Sequence, residues 1–220
     1  MFSGMSEEPD YFTQRVPIAV LVAPVSQIGN TTMPFVPFVA KWYKTIANTA
    51  WMFNMQEIGA AKDGKLTNDS WCTKFPQLCL KMSGSFVNTH SELDDPDRYA
   101  VSTAHGPNGT SVKDILHYAQ TMDQKRFQIF SETYGNMMGA KRITDLIPLK
   151  NIKTPVAMFT GKFDPLADLV DSRQTRDTIG KAVVHYEEIP AGHQTFMIGK
   201  DMSYWTDTVM GLFKKYHPLP

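Results

Sequence analysis

The hydrophobic and polar positions of the chain fall into three textures. Near the start, Val16-Pro17-Ile18-Ala19-Val20-Leu21-Val22-Ala23-Pro24-Val25 is an almost unbroken aliphatic run. A segment apolar on both faces is what a buried strand of a parallel sheet requires. Met1 to Glu8 before it reads as the tail of a helix closed by Pro9-Asp10. Near the end, Pro155-Val156-Ala157-Met158-Phe159-Thr160 reads as a second strand, followed at once by Gly161-Lys162-Phe163-Asp164 and by Pro165-Leu166-Ala167-Asp168, where a helical pattern begins. A helix length later, Ala182-Val183-Val184-His185-Tyr186 predicts a third strand whose exit loop is Pro190-Ala191-Gly192-His193. The last helix, capped by Asp201, carries Met202, Trp205, Val209, Leu212, Phe213 and Tyr216 on one stripe and ends at Pro218.

From Ser26 to about Lys150 the texture is different. Proline and glycine punctuate short helical pieces, with no strand run comparable to Ile18 to Val25. Phe35, Val39, Trp42, Ile46, Ala50 and Phe53 recur at three- and four-residue spacing and predict an amphipathic helix with that stripe against the core, the rival reading of the stripe being a lipid-facing surface. Ala60 to Gln77 is polar and loop-like, Ser91 to Tyr99 predicts a short helix, and Ser111 to Met122 predicts another, capped at Gly109-Thr110-Ser111. The pattern is α/β, with core at residues 1–25 and 151–220 and a mostly helical insertion at 26–150. So long an excursion inside an α/β chain has the size of a functional cap or lid.

Composition narrows the partners. Net charge is +0 with 220 residues, and no run of Lys or Arg exceeds two, which argues against nucleic acid. The longest clean apolar segment is far short of the roughly 20 residues of a membrane span. The two cysteines, Cys72 and Cys79, are open on spacing between a disulfide, worth roughly 2 to 3 kcal/mol by chain entropy, and two free thiols. Three glycosylation sequons, Asn30-Thr31-Thr32, Asn68-Asp69-Ser70 and Asn108-Gly109-Thr110, favour an oxidising secretory route.

Consecutive parallel strands joined by a right-handed crossover are usually neighbours, and sites in such sheets form outside their carboxyl ends. Asp164 and His193 stand at two such ends. A buried carboxylate that accepts the imidazole Nδ1 proton fixes the tautomer needed for acyl transfer. The competing reading makes Asp164 a helix cap and His193 a loop histidine. Asp168, the rival acid, falls in the first turn of the helix, where a cap is its expected role. His105 reads as a turn histidine, and His90, His117, His185 and His217 have no companions at metal-ligand spacing, so no metal or cofactor is expected. A nucleophile on a Gly-x-Ser-x-Gly elbow is missing: Ser3, Ser83, Ser85 and Ser111 lack the flanking strand, as do both cysteines.

The chain resembles the C-terminal part of acid lipases of the gastric and lysosomal type. The resemblance rests on Pro9-Asp10-Tyr11, Leu21-Val22-Ala23-Pro24-Val25, His105-Gly106-Pro107-Asn108-Gly109-Thr110-Ser111-Val112, Phe127-Gln128, Tyr134-Gly135-Asn136, Pro155-Val156-Ala157, Asp164-Pro165-Leu166-Ala167-Asp168 and Ile189-Pro190 leading to His193 and Phe196. It implies a partial α/β-hydrolase fold with a helical cap, a lipid ester substrate, a lysosomal or secreted location and a disulfide in the cap, here Cys72 with Cys79. It also implies a triad in which Asp164 orients the base and His193 is the base and then the acid.

Two departures follow from the same resemblance. Where the family tends to read Leu-Asp-Phe after the histidine, this chain has Gln194-Thr195-Phe196, so the support of that loop is expected to differ. The family's elbow is expected just before Met1, which makes this chain a C-terminal part, inactive alone and in need of an N-terminal half carrying the serine. Its first strand is then left with an unpaired edge. The alternatives are a non-catalytic lipase-like remnant that binds lipid or a partner protein, and a hydrolase of small esters. Membrane or lipid-droplet contact is expected at most peripherally, through the cap.

Overall fold

The computed structural model describes residues 1–58, 74–87, 89–105, 109–133 and 143–217. In chain order the helices are α1 (Phe2–Glu7), α2 (Pro9–Arg15), α3 (Phe35–Met52), α4 (Pro76–Val87), α5 (Pro96–His105), α6 (Val112–Gln124), α7 (Leu169–Ile179), α8 (Thr195–Ile198) and α9 (Met210–Tyr216). The strands are β1 (Ala19–Val22), β2 (Glu57–Ile58), β3 (Thr110–Ser111), β4 (Val156–Gly161) and β5 (Val183–Ile189). The three predicted long strands form one parallel sheet in the order β1-β4-β5, so β4 is central and β1 lies at an edge. The chain is thus α/β, as its patterning requires.

Period-two alternation explains why both faces of this sheet are covered. Ala19, Val156 and Met158 point into a cluster with Phe2 and Met5 of α1, Leu149, Ile152 and Ile179. Ile18, Ala157 and Phe159 point to the opposite face, against Ala191, Phe196, Tyr204 and Val209. All six residues of β4 are buried, as expected of a central strand with both faces covered.

Helix boundaries depart from the pattern in instructive ways. Pro9 does not merely end a helix; it sits at the first position of α2, where its missing N–H costs nothing. One position of the C-terminal stripe is also corrected, while Met202, Val209, Leu212, Phe213 and Tyr216 pack on the core as predicted. Tyr204–Val209 forms a π-helical turn before α9, which shifts the register. Tyr204 is therefore buried, with its hydroxyl donating to the Phe196 carbonyl at 2.6 Å, while Trp205 is exposed. Asp201 does cap this segment, its Oδ1 accepting the Ser203 N–H at 2.9 Å, and that bond holds its carboxyl below the usual range.

The middle of the chain packs largely on itself. Val39, Tyr43, Ala47 and Ala50 of α3 meet Val112, Leu116 and Ala119 of α6, whose N-cap Ser111 accepts the Asp114 N–H at 3.0 Å. This corrects the predicted stripe of α3: Val36, Val39, Tyr43, Ala47 and Ala50 are buried, whereas Phe35, Trp42 and Phe53 lie in solvent. β2 and β3 add a small antiparallel pair that patterning does not reveal. His105 ends α5 rather than lying in a turn. Cys72, hence its pairing with Cys79, and the sequon residues Asn68 and Asn108 lie outside the described residues.

Candidate active site

Asp164 and His193 meet. The Nδ1 of His193 lies 2.9 Å from Asp164 Oδ2, with the Asp164 side chain fully buried and that of His193 31% exposed. The other carboxylate oxygen, Oδ1, accepts the N–H groups of Leu166 and Ala167, each at 2.9 Å. One oxygen of the Asp164 carboxylate therefore closes the turn after β4 while the other meets the imidazole; Asp164 does not cap the following helix, whose N-cap is Asp168. Asp168 takes the capping role expected of it, accepting the Val170 N–H at 2.7 Å at the start of α7.

Both residues leave the sheet at the carboxyl ends of adjacent parallel strands, β4 and β5, and the backbone holds the two exit loops together. The Ile189 carbonyl accepts the Lys162 N–H at 2.8 Å and the Ala191 carbonyl accepts the Phe163 N–H at 3.0 Å. Gly161 makes this approach possible, since a Cβ there would stand 2.2 Å from the Ala191 carbonyl oxygen. Only glycine fits so close a pass of two main chains.

Further support comes from residues that no motif marks. Thr195, which stands where an acidic residue is expected by resemblance, accepts the buried Gly192 N–H on Oγ1 at 3.0 Å and so pins the histidine loop. The Pro165 carbonyl in the acid loop accepts the Thr31 hydroxyl at 2.7 Å and the N–H groups of Thr32 and Met33 at 2.9 and 3.1 Å. Next to it, the buried Asp171 accepts both the backbone N–H and the side-chain amide of Asn30, at 2.9 and 2.8 Å. The amide of one sequon is thereby engaged in the fold. Lone polar residues separated by more than 130 positions give no linear signal of such pairing.

His193 lines a cleft of about 580 Å³ that runs along β1, with Val20 to Val25, Phe2 and Tyr118 among its walls. Nδ1 being committed to Asp164, Nε2 is the nitrogen left for a reacting group. Ala23, which also lines this cleft, has a φ of +46°, a conformation in which a non-glycine side chain is strained. An acid-oriented imidazole beside a cleft is suited to proton transfer at a hydroxyl.

No protein-family model matches the chain. Individual proteins do. Over 133 residues the chain is 32% identical to lipase member K of Mus musculus, covering 58% of this chain and 33% of that protein. Over 144 residues it is 32% identical to the lysosomal acid lipase/cholesteryl ester hydrolase of Macaca fascicularis, covering 63% and 35%. The chain is similar to acid lipases. A third member, the gastric triacylglycerol lipase of Rattus norvegicus, is 31% identical over 127 residues, 56% of this chain and 32% of the lipase. The chain spans about a third of the length of these curated proteins.

Proposed function

We propose that the chain is part of a lipid ester hydrolase and supplies the acid and the base of a Ser-His-Asp triad. What carries this reading is the His193 Nδ1 to Asp164 Oδ2 contact of 2.9 Å beside a cleft, in a chain similar to acid lipases. Asp164 holds the imidazole with Nδ1 protonated. His193 takes a serine hydroxyl proton on Nε2 as the oxygen attacks the ester carbonyl, and then returns it to the departing alcohol. The serine comes from outside residues 1–220, on a strand that pairs with the free edge of β1. The fold is then the C-terminal part of an α/β-hydrolase, with residues 26–150 as its cap and Cys72 joined to Cys79 within it. A lysosomal or secreted location accompanies this reading.

A direct test starts with the 220-residue chain and a fluorophosphonate probe. The chain alone is expected to remain unlabelled and to leave a fluorogenic ester intact. Supplied with a segment bearing a strand and a Gly-x-Ser-x-Gly elbow, it gains hydrolysis, which Asp164→Asn or His193→Ala then lowers by about 10⁴-fold. Stoichiometric labelling of the chain alone, or full activity in the His193→Ala assembly, would overturn the assignment. A second reading is a non-catalytic lipase-like chain that binds lipid or a partner protein. It is supported instead if no such segment restores activity.

A further inference from the structure

We propose that His90 is a positioning residue for the Asp164–His193 pair: its ring, stacked on Phe163, sets the acid loop against a segment that is itself fixed to the histidine loop. The inference rests on the reading of that pair as acid and base. Residues 89–99 run across both exit loops, and the two ties differ in kind. On the histidine side the tie is made largely by main chain. The Ile198 carbonyl accepts the Asp95 N–H at 2.7 Å, and the Leu93 carbonyl accepts the Lys200 N–H at 2.9 Å. The Gly199 carbonyl accepts Arg98 Nη1 at 3.1 Å. Tyr99 and Ile198 are buried in one cluster with Cys79 and Leu80. Ile198 ends α8, the short helix that starts at Thr195, so this tie reaches the histidine loop directly.

On the acid side the tie is made by side chains. The Thr89 hydroxyl donates to the Phe163 carbonyl at 3.2 Å, and the His90 and Phe163 rings stand with centroids 4.0 Å apart at an angle of 40°. Phe163 immediately precedes Asp164, and its own N–H is held by the Ala191 carbonyl at 3.0 Å. A shift of the Phe163 ring therefore moves the carboxylate that orients the imidazole. His90 is aimed in turn by Glu92, whose Oε1 accepts from Nδ1 at 2.6 Å, and that bond holds the Glu92 carboxyl below its ordinary value. Both side chains are open to water, so their pairing adds little stability and serves direction. Lys200 Nζ donates to the Glu92 carbonyl at 2.8 Å, which ties the base of this arm back to the chain just past α8. A displacement of about 1 Å at a reacting group lowers a rate about a hundred-fold, so a ring contact one residue from the acid is close enough to matter.

The experiment is nuclear magnetic resonance of the 220-residue chain with isotope-labelled histidine. The His193 Nδ1–H resonance, identified by its loss in Asp164→Asn, reports the pair without any serine. His90→Ala is expected to move this resonance upfield and to speed its exchange with water about ten-fold. His90→Phe, which keeps a ring on Phe163, restores both. Phe163→Leu reproduces the His90→Ala signal, and the two changes together go no further than either alone. The melting temperature of His90→Ala stays within about 2 °C of the parent, as for other substitutions at half-exposed positions. In an assembly that hydrolyses ester, the same variant lowers kcat about ten-fold at unchanged KM. Ester hydrolysis by an assembly tests the triad, whereas the resonance tests His90. An unchanged resonance in His90→Ala, a loosened one in His90→Phe, or additive effects of the two single changes would each overturn the inference. So would a melting temperature that falls in step with the exchange rate across the variants, the mark of a merely structural contact.

Discussion

Gly161 and Thr195 set the distance between the acid and the histidine through the backbone of the two loops, the Gly161 carbonyl accepting the Asp164 N–H at 3.4 Å and Thr195 Oγ1 accepting the Gly192 N–H at 3.0 Å. Gly161→Ala places a methyl 2.2 Å from the Ala191 carbonyl oxygen, an atom of the main chain that cannot rotate away. One of the two strands must move, and the expected loss is about 3 kcal/mol in urea denaturation, at the upper end of ordinary single substitutions. Thr195→Val keeps the shape but removes the acceptor of the buried Gly192 N–H, and an orphaned buried donor costs about 1 to 3 kcal/mol. Thr195→Ser is expected to recover most of that stability, which separates the hydrogen bond from the methyl packing. Asp164 and His193 themselves were legible in the sequence, because strand ends followed by an acidic turn and a glycine-histidine loop leave a linear pattern. Their supports were not, because Thr31, Asp171 and Thr195 carry meaning only through partners far along the chain.

At the scale of elements, α7 and β5 are clamped by charge. The Arg173 guanidinium donates through Nε and Nη2 to the two oxygens of Glu188, each at 2.7 Å, and the Tyr186 hydroxyl donates to the same carboxylate at 3.0 Å. The Arg173 hydrogen bonds hold the Glu188 carboxyl below its ordinary value. A carboxyl whose pKa is lowered by folding contributes stability that is present above its unfolded value, about 4.3, and lost as the pH falls through the lowered one. Glu188→Gln is therefore expected to reduce the melting temperature at neutral pH, with the difference from the parent shrinking below pH 4; a constant difference across that range would count against the clamp. Element types were mostly readable from periodicity, since β1, β4, β5, α3, α6 and α7 lie where apolar runs or three- and four-residue spacings put them. The facing of α3 was not. Its inward face mixes Val39, Ala47 and Ala50 with Tyr43 against α6, a choice set by the shape of the partner helix and not by spacing along the chain.

Among the described residues the parallel sheet ends in two edge strands, β1 and β5, and β1 is the one that borders the His193 cleft. β1 pairs with β4 alone among the described residues, and its other side opens on the cleft that holds His193. An apolar strand with unpaired N–H and C=O groups templates association. The 220-residue chain by itself is expected to self-associate in sedimentation velocity, and a segment that pairs with β1 should make it monodisperse. A cooperatively melting 24.8 kDa monomer would argue that the edge is protected. The same unfinished edge is where the proposed serine strand fits, so association state and ester hydrolysis should change together on complementation.

The sequence by itself determined the alternation that covers both faces of a parallel sheet, the place of an acid and a histidine at neighbouring strand ends, and the resemblance to acid lipases. These are properties of local spacing, set by the two-residue period of strands and the direction of the chain at their ends. Only the tertiary structure decided that one carboxylate serves turn and imidazole together, that Gly161 and Ala191 bring the loops into contact, and which face of α3 is left to solvent. Those outcomes depend on distances between residues remote in sequence, which packing fixes and periodicity cannot.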